Sequence, residues 1–259
     1  MIRDIFEVPL YQRGYSWKVK QIEALITDVN LCDTVLPNHH YIGAFVGKRD
    51  GDVVTEGARL GKYILTDGQQ RMATIHLIFK ELISRLTAVG ASDAAIDSLK
   101  DRLYYEPVGP AGSLPRLSFV EAARNTFWRD LLSGALPAPT FASERRLLKA
   151  EEIIRDYFDG KGLLKLNKFR NKLLQCTVAI FLDYSMDEGG GPLHLKEHTV
   201  FATLNSRGLP VAPFDMIKNH AMMMKESNPG LFAGGFNPEI VWKACLTKLD
   251  TRGCEDKED

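Results

Sequence analysis

"YILTDGQQRMATIHLIF", residues 63–79, is the stretch whose reading decides the fold. An apolar, β-prone run ends at Thr66, Asp-Gly interrupts it, and a helical pattern begins. Met72, Ile75, Ile78, Phe79, Leu82, Ile83 and Leu86 recur at helical spacing, which predicts one long amphipathic helix. Asp67 is placed as its N-cap and Gln70 at N3, a close relative of the capping box, and Gly68 suits a tight strand-to-helix turn. Arg71 does not fit this scheme. It falls in the first helical turn, the end of the helix dipole where positive charge is unfavourable. Two readings stay open: a capped helix with a salt-bridged arginine, or an anion site in which helix N–H groups and a guanidinium converge on phosphate. The stretch is not a Walker A loop, because GxxxxGK[ST] is absent.

On the N-terminal side, "DIFEVPLY" (4–11) reads as an edge strand, with Pro9 unfavourable in its interior. "QRGYSW" reads as a turn, and Ile22, Leu25, Ile26 and Val29 predict a helix of about three turns from Lys20. "HYIGAFVGK" (40–48) is a strand, "GDVVTEGARLG" a hairpin loop, and "KYILT" (62–66) the next strand. Beyond the central helix, three helical patterns are separated by the Pro/Gly-rich loops "EPVGPAGSLP" and "SGALPAPT". "TVAIFLDYS" (177–185) returns to strand character, and the 177–184 strand is expected to rejoin the first sheet. "KEHTVFATLNSRGLPVAPFDMIKNHAMMMK" reads as helix, turn, then a helix entered through Pro213. The predicted class is α+β, a mixed α/β fold. Residues 1–90 give the first part of the core, 91–172 a helical insertion, 173–227 its completion, and 228–259 a C-terminal helix and polar tail.

Two further stretches carry chemistry. "PLYQRGYSW" (9–17) sets Gln12 and Arg13 among three aromatics, which suits base stacking and phosphate contact. It equally suits a turn whose Tyr11, Tyr15 and Trp17 cover the core. "TLNSRGLPVAPFDMIKN" (203–219) groups Asn205, Arg207, Asp215, Lys218 and Asn219 around a glycine turn. A helix C-cap followed by a new helix start explains Gly208 and Pro213 but not the charged residues.

Composition narrows the classes. Lys plus Arg (33) equals Asp plus Glu (33), so no net field draws the whole molecule onto nucleic acid, and polyanion binding must be local. The four cysteines form no CxxC pair, which argues against a zinc site and suits reduced thiols. Without a signal-peptide pattern or a run long enough to span a bilayer, the chain reads as soluble and cytoplasmic, with no membrane partner.

"VPLYQRGYSW", "YILTDGQQRMATIHL" and "TLNSRGLPVAPFDMIKN", in this order and with "HYIGAFVG" between the first two, resemble domain of unknown function 262. This is the N-terminal domain of GmrSD-type modification-dependent restriction enzymes and of related phage-defence proteins that sense phosphorothioate DNA. The resemblance spans about residues 5–225. It implies a ParB/sulfiredoxin-like core sheet with a large helical insertion and C-terminal helices, and a nucleotide site built on the DGQQR motif. By resemblance, Asp67, Gly68, Gln69, Gln70 and Arg71 form that site. Arg71 and the helix N–H groups would hold phosphate, Asp67 would hold Mg²⁺ or orient a water, and Gln69 or Gln70 would position the attacking water. Gln12, Arg13, Asn205, Arg207 and Lys218 would complete the nucleotide pocket.

The implied function is an NTP-binding and NTP-hydrolysing sensor domain, GTP favoured, of a prokaryotic modification-dependent restriction or phage-defence system. The alternative is a non-catalytic ParB-like DNA- or nucleotide-binding module that recruits a partner nuclease. The expected partners are a nucleoside triphosphate with Mg²⁺, modified DNA, and a nuclease domain or subunit outside this chain. None of the six histidines lies in the family's nuclease context, and the His194/His198 pair reads as a helix start without a third ligand.

Overall fold

The strand–turn–helix expected at residues 63–79 is the centre of the molecule. The structure, a computed structural model, describes residues 3–10, 12–32 and 40–183 together with Ala244. In chain order these residues form β1 (Ile5–Val8), α1 (Val19–Leu31), β2 (His40–Val54), β3 (Arg59–Asp67) and α2 (Gln69–Ala88). There follow α3 (Asp93–Leu103), β4 (Tyr104–Tyr105), β5 (Leu114–Pro115), β6 (Leu117–Phe119), α4 (Ala122–Ser133), α5 (Ala142–Phe158) and α6 (Leu163–Asn171). A π-helical turn at Lys172–Cys176 then leads into β7 (Thr177–Asp183). The mixed α/β class is as expected from the sequence.

Five strands form one mixed sheet in the order β6-β1-β3-β2-β7. β2 and β3 are an antiparallel hairpin, while β1 runs parallel to both β3 and β6, and β7 runs parallel to β2. The strand expected at 177–184 therefore rejoins the first sheet as β7, over Thr177–Asp183. Three expectations need correcting. β1 is interior rather than an edge, because β6 flanks its free side; Pro9 does no harm since the strand ends at Val8. "GDVV" is strand rather than loop: β2 continues to Val54, and only a turn closed by Thr55 N–H on Ala58 O separates it from β3. The segment 91–172 is not purely helical, since it supplies β6 to the main sheet and the β4/β5 pair.

α2 is expected to bury one face, yet it is buried from Met72 through Phe79 without a break. The sheet covers one side, and α3, α5 and α6 cover the rest. The insertion explains this, since a central helix has no solvent face. Ile22, Leu65, Ile75, Leu82, Trp128 and Phe158 are fully buried in the resulting core. Trp128 also donates its indole N–H to Leu117 O at 2.8 Å, fastening α4 to β6. Cys32 and Cys176 are buried and form no disulfide among the described residues. Among the described residues no helix is long and apolar enough to cross a membrane.

Burial on all sides has a consequence for His76, which lies mid-helix. Nδ1–H donates to Met72 O at 2.8 Å, and burial pushes the pKa down to about 4, so the ring is neutral. Between the ordinary value of 6.5 and about 4, the unfolded chain binds a proton that the folded chain refuses. Its stability is therefore full above the unfolded pKa and lost as pH falls through the folded one. We expect His76→Leu to remove about 3 kcal/mol of acid sensitivity across this window, read as the difference between urea unfolding curves of the two proteins. A difference that stays constant with pH would show the ring to be charged or exposed.

Candidate functional site: the β3–α2 turn

Asp67 is the last residue of β3 and Gly68 takes the N-cap position with φ 90° and ψ 4°, in the left-handed region. A Cβ at Gly68 would meet Phe45 Cδ1 at 2.6 Å and Ala44 O at 3.2 Å, so only glycine fits. This corrects the expected capping box. Asp67 is one residue too early to cap, Gln70 is at N2 and Arg71 at N3, and no side chain caps the helix. The first helical hydrogen bond runs from Met72 N–H to Gly68 O at 2.9 Å. The end of α2 is thus left with backbone N–H donors and no acidic residue in its first turn.

The two glutamines face the segment after β1. Gln70 accepts Ser16 N–H at 2.7 Å and donates to Gly14 O at 3.0 Å. Gln69 donates to Gln12 Oε1 at 3.0 Å, and Gln12, 1% exposed, donates to Thr66 O at 2.7 Å. Thr74 gives its hydroxyl proton to Gln70 O, so Tyr15 O–H is the donor to Thr74 Oγ1 at 2.8 Å. Burial raises the Tyr15 pKa, keeping it a donor. These bonds clasp residues 12–16 against the helix start. Tyr15 and Trp17 do cover the core, as the plainer reading of that stretch had it, and Tyr11 lies outside the described residues.

Arg71 turns back across β2. Its Nη1 donates to Ala44 O at 3.0 Å, and its guanidinium lies 5.7 Å from the Phe45 ring centroid. Gly43, at φ 109°, makes the room: a Cβ there would collide with the guanidinium. The β2–β7 register shifts between Tyr41 and Ala44, at this point of the strand. Sequence reasoning missed Gly43; the available signal was a glycine inside a strand pattern, which marks a bulge or a close approach. Arg71 forms no ion pair among the described residues. Desolvation lowers its pKa, partly countered by the nearby Asp67, Tyr41 and Asp28. The salt-bridged reading of this arginine is not what the geometry presents.

Gln12, Asp67, Gly68, Gln69, Gln70 and Arg71 are therefore gathered at one turn, with Arg13 exposed on the clasped segment. Asn205, Arg207 and Lys218 lie outside the described residues, as do Asp215, Asn219, His194, His198 and the methionines at 222–224. The Asp67 carboxylate makes no hydrogen bond or ion pair among the described residues. No group of three potential metal ligands occurs among them either. Chemically, the turn offers helix N–H donors, a half-buried guanidinium that makes no ion pair among the described residues, and the Asp67 carboxylate beside them.

The family model described as "GmrSD restriction endonuclease, N-terminal domain" matches residues 1–222. No curated protein matches the chain.

Two substitutions test this geometry. Gly43→Ala is expected to lower stability by about 1–3 kcal/mol in denaturant unfolding, through a strained φ and displacement of the guanidinium. Gln70→Ala removes two hydrogen bonds to the 12–16 segment and is expected to cost about 2 kcal/mol. Hydrogen exchange at the Ser16 amide should accelerate in the Gln70 variant; unchanged protection there would break the clasp argument.

Proposed function

Because the chain belongs to the GmrSD restriction endonuclease N-terminal-domain family, a component of restriction systems, we propose that it is the nucleotide-binding and NTP-hydrolysing regulatory part of such a system, with GTP the favoured substrate. One observation carries this reading: a half-buried arginine that forms no ion pair among the described residues stands beside a helix N-terminus that no side chain caps. A desolvated cation and unsatisfied N–H groups are both stabilised by the same group, a phosphate.

In this reading Arg71 and the amides of the first turn of α2 bind the phosphates, and Arg13, exposed on the clasped segment, closes on them from the other side. Gly68 lets the phosphate approach the backbone. Asp67 fits Mg²⁺ in a limited sense: Mg²⁺ in phosphate sites takes one or two carboxylates and completes its shell with phosphate oxygens and water. When bound, the ion would supply charge neutralisation on the phosphate oxygens. The amide nitrogens of Gln69 and Gln70 are engaged in the clasp. Their first role is thus to hold Gln12 and Arg13 in place, and placement is what phosphoryl transfer needs most. Gln69 Oε1, which accepts nothing among the described residues, is the atom left to orient a water. The nuclease and the sensed DNA modification belong to partners of this chain in the proposal.

Calorimetric titration of the chain with GTP, ATP, CTP and UTP in the presence of Mg²⁺ tests it. We expect selective binding that Arg71→Ala weakens by about a hundredfold, with Mg²⁺-dependent phosphate release lost in the same variant. Its unfolding free energy should fall by only about 1 kcal/mol, for one carbonyl bond and one ring contact. A folded protein that binds none of the four would falsify the proposal. Binding without phosphate release would instead identify a non-catalytic recruiting module.

A further inference from the structure

Between α2 and the sheet lies a partly open cavity of about 410 Å³, within the size range of small-molecule sites. Its walls are apolar and aromatic, with Phe6, Ile42, Phe45 and Phe79 prominent. His76, Arg102 and Arg116 interrupt that lining. Asp4, the one acid in the described lining, is held by Gly61 N–H through Oδ1 at 2.9 Å.

Neither arginine forms an ion pair among the described residues. Arg116 is buried, and its Nε and Nη1 donate to the backbone carbonyls of Asp101 and Arg3. Arg102 donates Nη1 to Ser98 O at 2.6 Å, and its Nε is buried without any partner. Burial is the main cause lowering both guanidinium pKa values; the positive charge of Arg3 adds to it, while Asp101 beside both arginines and Asp4 beside Arg116 oppose it. Partly desolvated cations held without a direct ion pair are costly, and an anion placed between them offsets that cost. His76 supplies the complementary feature. Its Nδ1 carries the proton, so Nε2, buried with no partner, is a bare acceptor waiting for an N–H or O–H.

We propose that this cavity binds a small aromatic or heteroaromatic anion with the size and chemistry of a nucleoside monophosphate. The ring lies among the phenylalanines, an amino or ring N–H donates to His76 Nε2, and a phosphate or carboxylate rests on Arg102 and Arg116. The site is separate from the phosphate site on Arg71. Asp4 precedes β1 whereas Gln12 follows it, so the two lie at opposite ends of that strand. Phe45, which underlies the Arg71 guanidinium, and Met72, the residue after Arg71, line the cavity on the side nearer the turn.

The experiment is calorimetric titration of the full chain with AMP, GMP and p-aminobenzoate, alongside Arg102→Gln and Arg71→Ala. At least one probe is expected to bind saturably, with affinity reduced about tenfold by Arg102→Gln and unchanged by Arg71→Ala. In the unmutated protein, saturation with that probe should shift the His76 Nε2 nitrogen resonance, which requires no substitution to be tolerated. Absence of saturable binding at millimolar probe overturns the proposal, as does an unmoved Nε2 signal on saturation. Binding lost in Arg71→Ala but kept in Arg102→Gln also overturns it, by assigning the ligand to the β3–α2 turn.

Discussion

The structure depends on the way α2 begins. A helix buried along most of its length cannot rely on water for its first N–H groups, yet its N-cap is a glycine with no side chain to offer. Gly68 is dictated by the close approach of Phe45 and Ala44, so capping gives way to backbone geometry. What holds the helix start is a set of side-chain amides instead. Gln69 and Gln70 reach outward to Gln12, Gly14 and Ser16, and Gln12 reaches back to Thr66. The DGQQR stretch thus couples three pieces of chain: the end of β3, the start of α2 and the segment leaving β1.

The same arrangement separates two tasks that one motif has to perform. Its glutamines position, and its arginine presents charge. Among the described residues Arg71 is held in place by a carbonyl and a ring rather than by an ion pair, so its orientation is set without its charge being neutralised there. Gly43 is part of this device from a distant place in sequence, because it leaves the hollow the guanidinium occupies. Family membership gives this geometry its setting, a restriction-system N-terminal domain.

Much of the fold was legible in the sequence because strands and helices announce themselves by period. α1, β3, α2 and β7 were all readable from apolar spacing, and so was the return of β7 to the first sheet. What escaped was whatever depends on neighbours distant in sequence. β6 is three residues long and is a strand only because β1 offers it a partner, so no local pattern could mark it. "GDVV" has the glycine and aspartate of a turn, but pairing with Gly61, Leu60 and Arg59 keeps it extended. At the site, the residues were legible and their geometry was not. Asp67 looked like a cap because its type and offset suit one; the left-handed turn at Gly68 moved the helix start one residue on. Gly43 and Ala44 carry no chemistry of their own and could be found only through the arginine that lies over them.

The route by which β6 and β7 reach the sheet shapes how the protein acquires its structure. Phe6 pairs with Leu117, and His40 with Thr177, across intervening stretches longer than many whole domains. Loop-closure entropy grows only logarithmically with such lengths, so stability suffers little. Folding speed suffers more, since long-range parallel pairings must form before they are rewarded. On a ribosome adding about 5–20 residues per second, β1 waits several seconds for its outer neighbour, and β2 waits longer for β7. During that interval the hairpin of β2 and β3 has an open edge, and the apolar face of α2 lacks its cover from α5 and α6. The Gln12–Gln69 and Gln70–Ser16 contacts, by contrast, join residues that emerge early. The nascent chain can therefore assemble its β3–α2 turn before it completes the sheet that supports it.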